Sequence, residues 1–383
     1  MATGYVHVEA DVKQSPKRPG APCGDLTACD RTAAATTLVV ADGIGSGIHA
    51  HIAAEMCVSR LLGLLHSGFS MRKAFASLVR TMEKRRDPAL PYAAFTIAQV
   101  RNDGMATVLS YETPPPIFIS PRHASVLPTR PIQLGGSLAT EADFYLEPGD
   151  GLLVVSDGIT QAGLGRGLPN GWCIEGVARC VNDCLADRIA PSRIPVVVHD
   201  KARDLWKQGG DDCTVALALC RRGVVLNILT GPPANPSDDS ATITRFMQAE
   251  GCKIVCGGTT AEIVARHLGQ HVKVEPDPES LIAPPRYEVP GLRLVTEGAV
   301  TLNQVYNLLD EDTDELVEDS GVTELCLLLQ AADRVNILMG AAHNKAEGDI
   351  AFRQQGILTR DHIIPLIADK LRAAGKLVVL HTI

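Results

Sequence analysis

Apolar residues in the first 222 positions come in short strand-like runs broken by helical stretches. Tyr5–Lys13 alternates apolar and polar residues and predicts a strand. Ser15–Gly24, rich in Pro and Gly, predicts a loop. Thr36–Ala41 is an unbroken aliphatic and β-branched run, as expected of a strand buried on both faces. After Gly47, the residues Ile48, Ile52, Met56, Cys57, Leu61, Leu64 and Leu65 recur at helical spacing and predict a helix with one broad apolar face. Ser70 is placed to cap a second helix that turns Phe75, Leu78, Val79 and Met82 inward.

Tyr92–Val100 and Met105–Tyr111 flank Arg101-Asn102-Asp103-Gly104, which predicts a hairpin. Strands at Ile117–Ser120, Phe144–Leu146 and Leu152–Ser156, helices at Ile174–Leu185 and Pro195–Gln208, and a strand at Thr214–Cys220 complete this part. Antiparallel pairing and two pairs of helices point to a two-sheet sandwich covered by helices.

Beyond Arg221-Arg222-Gly223 the pattern becomes strand–helix alternation. Strands are expected at Val224–Leu229, Lys253–Cys256, Leu292–Val295 and Lys376–His381. Helices run to Glu250, Leu268 and Leu309, a long apolar helix spans Glu324–Met339, and another spans Asp361–Ala374. This is the βαβ grammar of a mainly parallel sheet with helices on both faces. The expected fold class is therefore α+β: a sandwich over residues 1–222, then a smaller α/β domain over 223–383.

Composition narrows the function classes. The 383 residues carry a formal net charge of −8, which argues against nucleic acid as the main partner. The N-terminal residues contain no signal-peptide pattern, and no apolar run reaches the ~18 residues of a membrane span. The eleven cysteines form no C-x-x-C pair; Cys180/Cys184 and Cys252/Cys256 are four apart. Free thiols in a reducing cytoplasm are the expectation.

The candidate chemistry is acidic. Asp42 ends an aliphatic run and opens Asp42-Gly43-Ile-Gly45-Ser-Gly47; Asp157 ends Leu152–Ser156; Asp211 and Asp212 precede Cys213-Thr-Val-Ala-Leu. A carboxylate at the end of a buried strand is costly unless something positive meets it. Several such acids suggest convergence on cations, and all-oxygen ligation suits Mg²⁺ or Mn²⁺. A dinucleotide fingerprint fits less well, because Ile48 takes the place of the third glycine and Asp42 would face a pyrophosphate. No G-x-S-x-G, H-E-x-x-H or Walker A pattern is present.

Five motifs in order give a resemblance to the SpoIIE-like branch of the PPM/PP2C metal-dependent serine/threonine phosphatases. They are Cys23-Gly-Asp25, Val39–Gly47, Leu146-Glu-Pro-Gly-Asp150, Val155–Ala162 and Gly210-Asp211-Asp212-Cys-Thr-Val215. The resemblance covers about residues 1–220 and implies an α-β-β-α sandwich and hydrolysis of phosphoserine or phosphothreonine by a metal-bridging water. It implies that Asp42 bridges two Mn²⁺ or Mg²⁺ ions with the Gly43 carbonyl on one of them. It further implies that Asp157 and Asp211 bind one ion, that Asp25 binds the other through water, and that Asp212 orients its neighbour. The implied substrate is a bacterial signalling protein of the anti-anti-sigma type. A different reading is a catalytically weak regulator that passes ligand binding to a partner.

Eukaryotic members of the wider family use a histidine near the metals; His49 and His51 are expected to serve helix packing instead. Thr113-Pro-Pro-Pro116 replaces a turn common in this branch, and the glycine-rich stretch between Gln161 and Trp172 is either a lid or a surface loop. In the second domain, Thr230, Gly257, Gly258, Thr259, Thr260 and Thr296 follow strand ends and precede helices, as an anion-binding edge requires. A small anionic ligand and a homodimer are partner expectations; compact turns are the plainer reading of those residues. The acidic run Leu309–Asp319 fails the EF-hand pattern and reads as a solvated helix end.

Overall fold

The computed structural model describes residues 4–45, 47–84, 92–207, 209–275, 284, 286–311, 320–342 and 356–383. They form two compact units, Met1–Arg222 and Gly223–Ile383.

In the first unit the elements are β1 (Val6–Ser15), β2 (Asp25–Arg31), β3 (Ala35–Gly43), α1 (Ile48–His66), α2 (Met71–Lys84), β4 (Ala93–Arg101), β5 (Met105–Tyr111), β6 (Ile117–Ile119), β7 (Ala124–Val126), β8 (Arg130–Leu134), β9 (Ser137–Tyr145), β10 (Gly151–Val155), α3 (Asp157–Thr160), α4 (Cys173–Ala186), α5 (Ile194–Trp206) and β11 (Cys213–Arg222). One antiparallel sheet has the order β1-β11-β10-β6-β7 and the other β2-β3-β4-β5-β9-β8. The two-residue period of a strand explains the layers. Leu38 and Val40 of β3 meet Val6, Val8, Val154, Ala216 and Ala218 in the core between the sheets. Val39 and Ala41 point the other way, onto Cys57, Leu61, Phe75 and Leu78 of α1 and α2. Leu153, Val155, Val215 and Leu217 likewise pack on Val177, Val181 and Val198 of α4 and α5. Strands covered on both faces read as continuous apolar runs, and the result is an α-β-β-α sandwich.

Helix α1 departs from its expected face. Its buried side is Ala50, Ala53, Ala54, Cys57, Val58 and Leu61. Ile48, Ile52 and Met56 are exposed, together with Ile44. Small residues let the helix lie close to the sheet, so the alanines win the inner face and the larger residues turn outward. By length and composition this helix could cross a membrane, contrary to the expectation that no run would. Its alanine face is packed on the sheet as part of the sandwich core.

The second unit contains β12 (Val225–Thr230), α6 (Asp239–Gln248), β13 (Cys252–Cys256), α7 (Gly258–His267), β14 (Lys273–Glu275), β15 (Arg286–Glu288), β16 (Leu294–Thr296), α8 (Ala299–Leu308), α9 (Gly321–Ala331), β17 (Arg334–Met339), α10 (Arg360–Ala373) and β18 (Leu377–Thr382). The sheet order is β14-β15-β16-β13-β12-β17-β18. The five strands β16, β13, β12, β17 and β18 are parallel. β14 and β15 add an antiparallel edge. Taken in chain order, the parallel strands are arranged 3-2-1-4-5, the doubly wound plan. Helices α8, α9 and α10 cover one face. Helices α6 and α7 cover the other.

The long helix expected over Glu324–Met339 is two elements. Helix α9 ends at Ala331, and Arg334–Met339 is the strand paired with both β12 and β18. An apolar run cannot by itself tell a buried helix from a central strand. Here Val335 and Ile337 alternate into one helical layer while Leu338 packs into the other. Most of the acidic run Leu309–Asp319, residues 312–319, lies outside the described residues.

This division makes a stability prediction. Ile337 is fully buried in β17, whereas Leu327 of α9 is 39% exposed. Ile337→Ala is expected to cost about 2–5 kcal/mol and Leu327→Ala under about 1 kcal/mol. Chemical denaturation measures both, and comparable losses would contradict the assignment of a strand at 334–339.

Candidate metal centre

The antiparallel ladders carry the acids to one end of the sandwich. Asp25, the first residue of β2, is the register partner of Asp42 near the end of β3. Asp157 starts α3 immediately after β10, and Asp211 and Asp212 immediately precede β11. Strands β10 and β11 are paired through Val155 and Val215, and β11 pairs with β1 through Cys213 and Ser15. Gln14 then links the sheets at this end, its Nε2 donating to the Asp25 carbonyl and to Thr214 Oγ1, both at 2.9 Å.

The acids are held differently. Asp25 is 1% exposed; Thr214 Oγ1 donates to its Oδ2 at 2.6 Å. Its Oδ1 is buried without a hydrogen-bond partner. Asp212, also buried, accepts from the Lys17 backbone N–H at 2.7 Å. Asp157 Oδ2 accepts from Gln161 Nε2 at 2.8 Å. Asp211 accepts from the Asp212 N–H at 3.0 Å, and Lys17 Nζ lies 3.3 Å from its Oδ1. Gln161 and Thr214 lie inside the motifs quoted above, yet nothing in their identity assigned them partners. Lys17 carried no signal beyond its place in a loop.

Burial and like charge push these carboxyls upward. Burial, then the charges of Asp25 and Asp157, raise Asp42 to about 10. Asp25 rises to about 6, chiefly through burial, with the Thr214 hydrogen bond pulling the other way. Asp157 is raised by burial and by the Asp211 charge, against its hydrogen bond with Asp42. Without a cation, protons hold this cluster together. Among the described residues no group of three or more His, Cys, Asp or Glu is placed, as it stands, to hold a metal ion. The donors nevertheless suit a hard divalent ion: they are oxygens, they repel one another, and one buried Oδ1 lacks a donor.

The glycines are needed for close approach. A Cβ on Gly43 would collide with the Ala50 carbonyl oxygen, and one on Gly158 with that of Asp212. A Cβ on Gly24 would lie 2.7 Å from Asp212 Oδ2 and 2.9 Å from Ala50 Cβ. Helix α1 is therefore seated directly against the acid-bearing strands. His51 Nδ1 reinforces this seat, 2.9 Å from the Cys23 carbonyl oxygen. His49, expected to pack, is exposed. The glycine-rich stretch is tied down: Leu164 and Leu168 form a β-bridge, and Arg166 hydrogen-bonds the Trp206 carbonyl. Trp206 Nε1 in turn donates to the Gly158 carbonyl at 2.8 Å. Thr113, before the three prolines, bonds Thr96 through its hydroxyl at 2.6 Å.

In the second unit, Thr230, Cys256 and Thr296 are lateral neighbours at three strand ends. Gly257–Thr260 follow the middle one, so all the candidate residues share one edge. The Gly257 N–H donates to the Thr296 carbonyl, and Thr230 and Thr260 are buried. The adjoining Glu297 is raised by burial, while the backbone N–H groups of Val300 and Gly298 bond it and oppose the rise. Tyr287 is raised by burial and by the charges of Glu297 and Glu262. This part of the edge is acidic.

A two-sheet sandwich flanked by helix pairs, with acids gathered at one end, defines a PP2C-like phosphatase fold. Residues 32–221 match the Stage II sporulation protein E (SpoIIE) family, and this part of the chain belongs to it. Asp25 precedes the matched segment. No curated protein matches the chain. Among solved structures it is similar to the PP2C phosphatase domain with a regulatory fragment of SpoIIE from Bacillus subtilis, at 16% identity and TM-score 0.49, covering 58% of this chain and 66% of that one. It is also similar to the RsbU and RsbW domains of a Mycobacterium tuberculosis protein, at 17% identity and TM-score 0.47, covering 69% and 71%. A third likeness is to the PPM Ser-Thr phosphatase MsPP from Mycobacterium smegmatis in complex with cacodylate, at 19% identity and TM-score 0.40, covering 56% and 99%.

The raised carboxyls set a pH dependence. In chelator, the folded chain keeps protons on Asp25 and Asp42 that the unfolded chain releases above about pH 4. This contribution to stability is fully present below that pH and is lost as pH rises through about 6 for Asp25 and towards about 10 for Asp42. With Mn²⁺ or Mg²⁺ the slope should reverse, since ligands must be deprotonated. Melting temperatures between pH 5 and 8, in chelator and in metal, are the measurement; a flat metal-free profile would contradict the clustering of the acids.

Proposed function

We propose that residues 1–222 are a Mn²⁺- or Mg²⁺-dependent protein serine/threonine phosphatase acting on a bacterial signalling protein, with phosphoserine or phosphothreonine of the anti-anti-sigma type as substrate. The observation that carries this reading is the raised, mutually repelling set Asp25, Asp42 and Asp157 at the edge of a SpoIIE-type fold. Asp42 stands between Asp25 and Asp157 in this set and is the natural bridge for two ions. The Gly43 carbonyl would join it, Asp157 and Asp211 would hold one ion, Asp25 would hold the other, and Asp212 would orient its neighbour. When bound, the two ions would supply a water of lowered pKa and a positive clamp for the phosphoryl oxygens.

The chain's own residues prepare that chemistry. Thr214 and Gln161 each hold one oxygen, of Asp25 and of Asp157. Asp42 would give up its proton where cation charge replaced it. Lys17, paired with Asp211, is placed to exchange that partner for a phosphoryl oxygen. The eleven cysteines are all free; a reducing cytoplasm is the compartment proposed with this reading.

One observation favours the regulator reading. Lys17 sits on the carboxylate of a proposed ligand and competes with a cation there. Metal-dependent hydrolysis of p-nitrophenyl phosphate separates the two. A phosphatase turns it over with Mn²⁺ and not in chelator; a regulator does neither.

Variants refine the roles. Asp42→Asn is expected to abolish nearly all turnover, and Asp212→Asn to cost about 10–100-fold. Equal losses would overturn the division between ligand and orienting residue. Lys17→Ala should raise KM more than it lowers kcat, while metal affinity stays the same or improves. Weaker metal binding in that variant would show Lys17 to be a structural prop of Asp211.

A further inference from the structure

We propose that the second unit binds a small molecule through its phosphate or carboxylate group, held by the guanidinium of Arg360 at the point where the sheet's winding reverses. The 3-2-1-4-5 order puts β12 beside β17. The helix after β12, α6, goes to one face, and the helix after β17, α10, goes to the other. Open parallel sheets take ligands at the carboxyl ends of such a strand pair, because the departing loops leave a crevice there.

Arg360 is built into that position. It opens α10, and its side chain is 13% exposed. Gly231, the residue after β12, has φ +78, and a Cβ there would collide with the guanidinium and lie 3.0 Å from Nε. The glycine thus lets the flat face of the arginine lie on the strand end. Arg360 Nη2 donates to the Ala342 carbonyl at 2.8 Å, just beyond the end of β17. Among the described residues its Nε is buried without a hydrogen-bond partner. Its ion-pair partner among them, Asp361 Oδ1, lies 4.0 Å from that Nε on a side chain 54% exposed.

A guanidinium has five donors in a rigid fork, and one bond leaves most of them unused. Burying donors in that state is costly, and a planar oxyanion satisfies two at once. Arg360 also stands at the positive end of the α10 dipole, whose first turn carries Asp361 as well. The other end of the strand-end row offers less. There the carboxylate of Glu297 already takes the N–H groups of Gly298 and Val300 at the start of α8.

The test uses the full chain in chelator, so that the acid cluster of the first unit holds no cation to attract anions. Inorganic phosphate, AMP and succinate are titrated separately by calorimetry, with Asp42→Asn run in parallel as a control for the first unit. At least one probe is expected to bind wild type and Asp42→Asn alike. Arg360→Lys keeps the charge but loses the fork and should bind about tenfold more weakly, the loss of roughly one charge-assisted hydrogen bond. Arg360→Met should not bind measurably. Binding of phosphate or AMP alone assigns a phosphoryl ligand, and binding of succinate alone a carboxylate. Silence from all three probes, or equal affinity in wild type and Arg360→Lys, overturns the proposal. If Arg360→Met fails to fold by circular dichroism, Arg360→Lys decides. None of these outcomes depends on the first unit being a phosphatase.

Discussion

The first unit is organised around one electrostatic constraint: carboxylates that must be neighbours and must be buried. Asp25 and Asp42 are opposite one another in an antiparallel pair, where side chains on the same face lie within about 5.5 Å. Two charges at that distance in a partly dry site repel strongly, so only protons or cations make the arrangement tolerable. The surrounding structure concedes to this. Three glycines let backbone approach where a methyl group would collide, and Thr214 spans from the other sheet to fix Asp25. The register of β2 on β3 is equally bound by it, since a one-residue slip would turn Asp25 to the opposite face.

Much of this was legible before any coordinates. Asp42, Asp157 and the Asp211-Asp212 pair each end or begin an aliphatic run, which puts them at strand ends, while Asp25 was implied only by the family resemblance that the order of motifs supplied. Lys17 was invisible because it reaches Asp211 across nearly the whole length of the unit, and no local pattern encodes such a contact. Strand β2 was missed because Asp25–Arg31 is polar enough to pass for loop; its residues are mostly half-buried at the sheet edge. The inner face of α1 was misjudged for a different reason. Hydrophobicity ranks Ile above Ala, but the sheet selects by volume where Gly43 touches Ala50.

The second unit shows the same tension between pattern and place. Its strand–helix alternation was plain, yet its interior strand β17 hid inside an apolar run that continues from α9 without a glycine or proline break. The strand ends likewise looked alike as sequence. In the fold they are unequal: one carries the carboxylate of Glu297 turned back on its own helix, and another carries a guanidinium lying on Gly231.

The pairing of β1 with β11 joins the two ends of the first unit, from Val6 with Arg222 to Ser15 with Cys213. During synthesis, the strand that receives β1 leaves the ribosome after every other strand of that unit. Until then β1 has no partner on its ladder, Asp25 has no Thr214, and Asp25, Asp42 and Asp157 lack Asp211 and Asp212. The nascent chain therefore carries an unfinished centre for most of its elongation and closes it in one late step. A fragment ending before Asp211 would lack Asp211, Asp212 and the strand that joins β1 to β10 at once, so the site and its sheet would be lost together.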